Sequence, residues 1–223
     1  LEEDHLKLAP KSDVAAKKFE RKSTNRETDD KKDGGGGVMA TLKGGRIFEK
    51  VGVNVSAVYG NLAPEAQKSI TARKAIPELK DDPRFWASGI SLVAHMRNPH
   101  TPAIHLNTRM FWTPHAWWFG GGTDLNPSIE NDDDTNFFHQ ILKKKCDKHN
   151  QGYYKKFKEW ADEYFFIPHR KVARGVGGIF FDDLCSGDWE KDFSFTKDVG
   201  EAFIEAYIPI VKKTLFEKLD TTG

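Results

Sequence analysis

The apolar residues of this 223-residue chain change their period near Thr135, and that change limits what it can fold into. Before it they alternate with polar residues or gather in short β-branched and aromatic runs. RIFEKVGVNVSAVYG (46–60) reads as one or two strands with a bend at Gly52. ASGISLVAH (87–95) and AIHLNTRMFW (103–112) read as strands, and AWWFGGG (116–122) as a further strand ending in a glycine loop. RNPHTP, between the first two of these, is a turn, because its prolines cannot donate to a ladder. Beyond Thr135 the period moves toward 3.6. Phe137, Phe138, Ile141 and Leu142 form one helical stripe, Tyr153 to Phe166 a second and Phe193 to Leu215 a third, with VGGIFFDDL (176–184) between them as a buried strand. A run of strands followed by helices predicts an α+β fold, an antiparallel sheet packed under helices. No segment repeats another.

A single domain over 1–223 accommodates these elements. Residues 1–22 are polar with apolar positions near helical spacing and predict a surface helix, and the charged, glycine-rich stretch 23–37 predicts a mobile loop. With 38% hydrophobic and 30% charged residues the composition is that of a globular chain. No apolar run approaches the roughly 18 to 20 residues of a membrane span. A net charge of +1 offers nucleic acid no general field. The two cysteines, Cys146 and Cys185, form neither a metal-knuckle spacing nor a disulfide framework, so a reducing compartment is the simpler reading. The N-terminus has no apolar signal core. The expectation is a cytoplasmic protein, or a mitochondrial one if a targeting segment has been removed.

Three stretches could carry chemistry. SLVAHMRNPHTPAIHLNTR (91–109) holds three histidines, two arginines and Asn107. If its strands are antiparallel neighbours, Ser91, His95, His105, Asn107 and Arg109 share one face, since the side-chain period is two. Such a face is either a site or a solvated surface, and Ile90, Leu92, Ile104 and Leu106 suggest that the opposite face is the buried one. WWFGGGTDLNP (117–127) sets Asp124 beside three glycines that let backbone approach a ligand. Lacking the GxxxxGK spacing and carrying a carboxylate, it suits N–H donors or a cation rather than phosphate. A plain turn capped by Asp124 is the other reading. WADEYFFIPHRKVARGVGGIFFDDL (160–184) joins an aromatic helix face to a basic loop, which suits an anionic aromatic-sized ligand, although an aromatic stripe is also what a core helix shows.

The strings HMRNP, HLNTR, WWFGGGTDLNP, DEYFFIPHR and RGVGGIFFDDL, in this order, resemble the successive signatures of the oxygen-dependent (aerobic) coproporphyrinogen III oxidases. GGRIFEKVGVNVS resembles that family's segment after its glycine run, and the resemblance covers roughly residues 34 to 215. The chain departs from the pattern in its charged segment before Gly34 and in lacking the strand, helix and Gly-Gly-Arg contact with which the family continues. The resemblance implies a broad, flat antiparallel sheet of about seven strands, within the ordinary range of sheet sizes, flanked by helices and assembled as a homodimer. It implies oxidative decarboxylation of two propionates of coproporphyrinogen III to vinyl groups, giving protoporphyrinogen IX in haem biosynthesis. Molecular oxygen is the acceptor, carbon dioxide and hydrogen peroxide are released, and no organic cofactor is required.

That reaction suggests roles. Four carboxylates on the substrate call for cations at the rim, with Arg97, Arg109, Arg170 and Arg174 as candidates because a guanidinium binds carboxylate bidentately. Asp124 is the candidate centre, accepting the pyrrole N–H groups, and His105 the proton donor or acceptor. By the family pattern Ser91, Asn107, Thr108 and Arg109 contact substrate. His95, His139 and His169 match further family histidines, and their separations fit no compact ligand motif. Two rival readings remain: a metal-dependent oxygenase built on the histidines, and a tetrapyrrole binder without catalysis.

Overall fold

The computed structural model describes residues 17–28 and 31–214. Seven strands form one antiparallel sheet: β1 (Glu20–Glu27), β2 (Asp33–Lys43), β3 (Phe48–Asn61), β4 (Arg84–Met96), β5 (Ala103–Trp112), β6 (Trp117–Asn126) and β9 (Gly178–Leu184). The first six lie side by side in chain order, with β3 and β4 joined through a helix and a 3-10 turn, and β9 pairs with β6. β7 (Phe166–Ile167) and β8 (Val172–Ala173) make a separate small hairpin. The helices are α1 (Pro64–Lys74), followed by a 3-10 turn Pro77–Lys80, then α2 (Asp132–Asp147), α3 (Tyr153–Tyr164) and α4 (Trp189–Thr214). The expected α+β class and antiparallel sheet are therefore present.

The alternation of the strands decides which layer meets the helices. Val51, Leu92, Ala94, Ile104, Leu106, Phe119, Leu125, Ile179 and Phe181 are buried on one face, against Phe138 and Leu142 of α2, Phe157 and Ala161 of α3, and Phe195, Val199, Ala202 and Phe203 of α4. Burying each such side chain is worth roughly 1.5–3 kcal/mol, so this layer dominates the stability. Tyr207 of α4 is wholly buried there, and its hydroxyl donates to Pro102 O at 2.8 Å, which ties the helix to the β4–β5 turn. Leu62, Ile70, Ile76, Leu79 and Trp118 form a smaller cluster on the opposite face, where α1 packs on one end of the sheet. Among the described residues no helix is long and apolar enough to cross a membrane.

Four local expectations are corrected. The segment 23–37 is not a loop: its first part belongs to β1, and Gly34 to Gly37 lie within β2, with Gly36 and Gly37 paired to both β1 and β3 and Gly35 to β3. A Cβ on Gly36 would stand 2.1 Å from Thr24 O, so glycine here serves strand approach rather than mobility. The helix expected over 1–22 is strand from Glu20 onward, and positions 1–16 lie outside the described residues. Gly52 causes no break, because β3 runs unbroken from Phe48 to Asn61 with Gly52 paired to Thr41 and Val93. Gly120 to Gly122 are not a terminal loop either, since β6 continues through them to Asn126.

Candidate active site

The register aligns the polar residues on the face away from α2, α3 and α4. Ser91 pairs with Asn107, Gly89 with Arg109 and Val93 with His105 across β4 and β5, and His105 pairs with Asp124 and Asn107 with Gly122 across β5 and β6. Ser91, His105, Asn107, Arg109 and Asp124 therefore stand on one side, as alternation predicts. The His95 and His105 rings meet edge to face at 6.4 Å. Two adjoining cavities of about 470 and 390 Å³ open over this face. Ser91, Asn107 and Arg109 line both and stand between them.

Asp124 lies at the floor of the larger cavity and is 2% exposed. Its Oδ2 accepts from Asn126 Nδ2 at 2.6 Å, and His105 Nδ1 lies 3.4 Å away. Arg174 Nη2 donates to Oδ1 and Oδ2, both at 2.9 Å, and its Nε to Oδ2 at 3.2 Å. Burial is the largest influence on this carboxyl and opposes ionisation. Hydrogen bonds from His105 and Asn126 and the charges of His105 and Arg174 together outweigh it, holding the group below its ordinary value. Asp124 is thus a preorganised anion. It does not stand open as the sequence suggested, because Arg174 covers it.

Arg174 reaches Asp124 from the base of the β7–β8 hairpin, where its backbone N–H donates to Phe165 O and its guanidinium stacks 4.1 Å above the Phe165 ring. Tyr164 stacks on Phe180 at 4.3 Å beside it, so one wall of the cavity is aromatic. His139 holds the neighbouring turn: its Nε2–H donates to Val176 O at 2.9 Å and Tyr154 Oη lies 3.1 Å from Nδ1. Burial lowers the His139 pKa and keeps the ring neutral, which suits a structural pin rather than a proton relay. His169 and Arg170 are exposed in the hairpin turn, Arg97 is exposed at the end of β4, and none of the three lines either cavity.

Arg109 Nη1 donates to Asn107 Oδ1 at 2.8 Å, and its Nη2 lies 3.2 Å from Asp182 Oδ1. Gly120 makes room for this pair. A Cβ there would stand 2.8 Å from Arg109 Nε and 2.9 Å from Asp182 Oδ1, the ends of side chains that can move aside. Gly120→Ala is therefore expected to keep its melting temperature, with a stability change under about 1 kcal/mol, while kcat/KM falls about tenfold or ~1.4 kcal/mol. A melt and steady-state kinetics on one preparation check both halves. Thr108 is placed differently from its neighbours. Its side chain points to the helix face, where a Cβ on Gly200 of α4 would lie 3.9 Å from its methyl group, so only its backbone can reach the cavity side. The sequence assigned no role to Arg73 of α1 and Asp182, which line the smaller cavity and join the site through distant segments, or to Asn126, whose part shows only in its 2.6 Å bond to Asp124 Oδ2. Among the described residues no group of three or more His, Cys, Asp or Glu side chains is placed to hold a metal ion.

The family model for coproporphyrinogen III oxidase matches residues 7–221. The oxygen-dependent coproporphyrinogen-III oxidase of Rickettsia bellii is 50% identical over 199 residues, 89% of this chain and 67% of the relative. The Rickettsia akari protein of the same name is 51% identical over 183 residues, 82% of this chain and 63% of the relative. The mitochondrial oxygen-dependent coproporphyrinogen-III oxidase of Rattus norvegicus is 48% identical over 190 residues, 82% of this chain and 43% of the relative. The chain thus spans about two thirds of the rickettsial relatives and less than half of the mammalian one. With a matching family model over nearly its whole length and about half of the aligned residues identical in these relatives, the chain belongs to the coproporphyrinogen III oxidase family.

Proposed function

We propose that this protein oxidatively decarboxylates two propionate side chains of coproporphyrinogen III to vinyl groups, with O2 as acceptor and no metal or organic cofactor. The observation that carries the reading is the buried Asp124 anion on the floor of a cavity walled by aromatic rings and bordered by Arg109 and His105. Each propionate loses CO2 from its end and a hydrogen from the CH2 attached to the ring, and the two electrons released reduce O2 with two protons to H2O2. Asp124 accepts the pyrrole N–H groups once Arg174 swings off, and its charge favours the positive character that an electron-rich pyrrole acquires as it is oxidised. Release of Arg174 also frees a cation for a substrate carboxylate. His105, 3.4 Å from Asp124, moves the proton. Arg109 grips the reacting carboxylate until CO2 leaves. A cytoplasmic or mitochondrial homodimer fits this reading, the second compartment being the one named for the rat relative.

The full-length protein is expected to consume O2 and yield a protoporphyrin-level product from coproporphyrinogen III, and to do so after exhaustive chelation. Activity lost on chelation and restored by one metal would move the chemistry to a metal site on the histidines. Tight binding of the substrate without O2 uptake would make the protein a tetrapyrrole binder.

A further inference from the structure

Until Arg174 leaves Asp124, the larger cavity has no cation to spare. Arg174 is matched by Asp124, and Arg109 is shared with the smaller cavity. Charge is distributed differently under α1. Arg73 Nη1 lies 3.6 Å from Asp182 Oδ2 and 3.7 Å from Asp183 Oδ2, Lys74 Nζ lies 3.1 Å from Asp183 Oδ1, and Arg109 Nη2 lies 3.2 Å from Asp182 Oδ1. Three cations thus face two carboxylates, leaving one positive charge to be met from outside. Both contacts of Arg73 are longer than a good charge-assisted hydrogen bond of about 2.7–2.9 Å, and its side chain is 47% exposed. Its guanidinium is therefore held near the cavity without being consumed there.

The cluster is built rather than accidental. The β6–β9 ladder breaks register between Phe119 and Gly121, and Asp183 takes φ 64°, a left-handed conformation that aspartate enters more readily than most side chains. That kink turns both aspartates toward α1. Lys74 donates to Asp183 O at 3.2 Å and lies 5.0 Å from the Trp118 ring, which fixes the last turn of the helix and with it Arg73. Ile70, Phe111 and Trp118 supply an apolar wall, while Asn54, Ser56 and Ser91 supply polar groups. An apolar lining that ends in one unmatched guanidinium suits a short aliphatic chain that ends in a carboxylate.

We infer that the cavity under α1 receives a second carboxylate side chain of the substrate, one that is not reacting, and that Arg73 binds its carboxylate. The inference rests on the function proposed above. With the pyrrole nitrogens at Asp124, a side chain of the macrocycle passes Arg109 and enters this cavity. Asp182, held between Arg73 and Arg109, occupies the place of that carboxylate until substrate arrives.

The full-length protein carrying Arg73→Gln or Arg73→Lys would be compared with Arg84→Gln, which removes an exposed arginine paired with Asp82 away from the site. Affinity would be read with coproporphyrin III, the oxidised ring with the same four propionates, through quenching of tryptophan fluorescence. KM and kcat would be read with the reduced substrate, and a melt would confirm folding. Arg73→Gln is expected to weaken porphyrin binding and raise KM by about ten- to a hundredfold, with kcat within about threefold. Arg73→Lys should recover part of the loss, and Arg84→Gln should match wild type. An active wild type whose Arg73→Gln variant keeps its affinity and KM, or loses kcat alone, overturns the role of Arg73 and leaves the reaction standing. A wild type that neither binds the porphyrin nor turns over the substrate overturns both.

Discussion

Asp124→Asn should lower turnover by a hundredfold or more while the protein remains folded. Asparagine keeps the shape of the side chain and one acceptor oxygen but removes the charge that three donor groups converge on, the Arg174 fork, Asn126 and His105. Losing a preorganised charged partner of a transition state commonly costs about 10²–10³ in rate, or ~2.7–4 kcal/mol. The stability cost is smaller. Removing one partner of a fully buried ion pair can cost about 3–5 kcal/mol, but the Arg174 side chain is 39% exposed and can be hydrated instead, so a loss of ~1–2 kcal/mol is expected. A pH series separates the two roles. The Asp124 pKa is depressed in the folded state, so its stabilisation is present above the ordinary value of 3.8 and is lost as pH falls through the lower folded value. The difference in melting temperature between wild type and Asp124→Asn should therefore persist at neutral pH and close in strong acid. A variant that melts much earlier but turns over normally per folded molecule would make Asp124 a structural cap and leave His105 as the sole central group.

How much of this was legible depended on whether the signal is local. The site face of β4 and β5 follows from alternation alone, because Ser91, His105, Asn107 and Arg109 sit at odd positions whose even neighbours Leu92, Ile104 and Leu106 are buried. The same alternation turns the Thr108 side chain to the other face, a consequence that the family tripeptide obscures. β1 left no such trace: all eight of its residues are exposed, so an edge strand looked like charged loop. Gly34 to Gly37 and Gly120 to Gly122 misled for a related reason. A glycine run ordinarily marks a turn, whereas here it answers to backbone and side chains supplied by other strands, such as Thr24 beside Gly36 and Asp182 beside Gly120. The pairing of Arg174 with Asp124 spans 50 positions, and no spacing rule reaches that far. α1 was harder still, since Ile70 is its only buried residue and its sequence has almost no apolar stripe.

Arg109→Lys is expected to fold normally and lose most of its catalytic efficiency. The guanidinium divides its donors, one nitrogen to Asn107 Oδ1 and another toward Asp182 Oδ1, and keeps a planar edge facing the cavities it separates. A lysine ammonium carries the same charge as a point on a flexible stem and cannot hold both neighbours and grip a carboxylate bidentately. Folding should tolerate the change, because the Arg109 side chain is 40% exposed and ion pairs so placed contribute about 0–1 kcal/mol. The catalytic cost is larger. Losing the bidentate grip removes about 1.5–3 kcal/mol of charge-assisted hydrogen bonding, so kcat/KM should fall roughly ten- to a hundredfold or more. Where the loss appears tells when the contact forms. A rise in KM alone means that Arg109 grips the carboxylate equally in the ground and transition states, while a fall in kcat means that the grip tightens as CO2 begins to leave. If Arg109→Lys turns over coproporphyrinogen III within about threefold of wild type, a difference under ~1 kcal/mol, Arg109 is no substrate clamp, and its contact with Asp182 serves only to join β5 to β9.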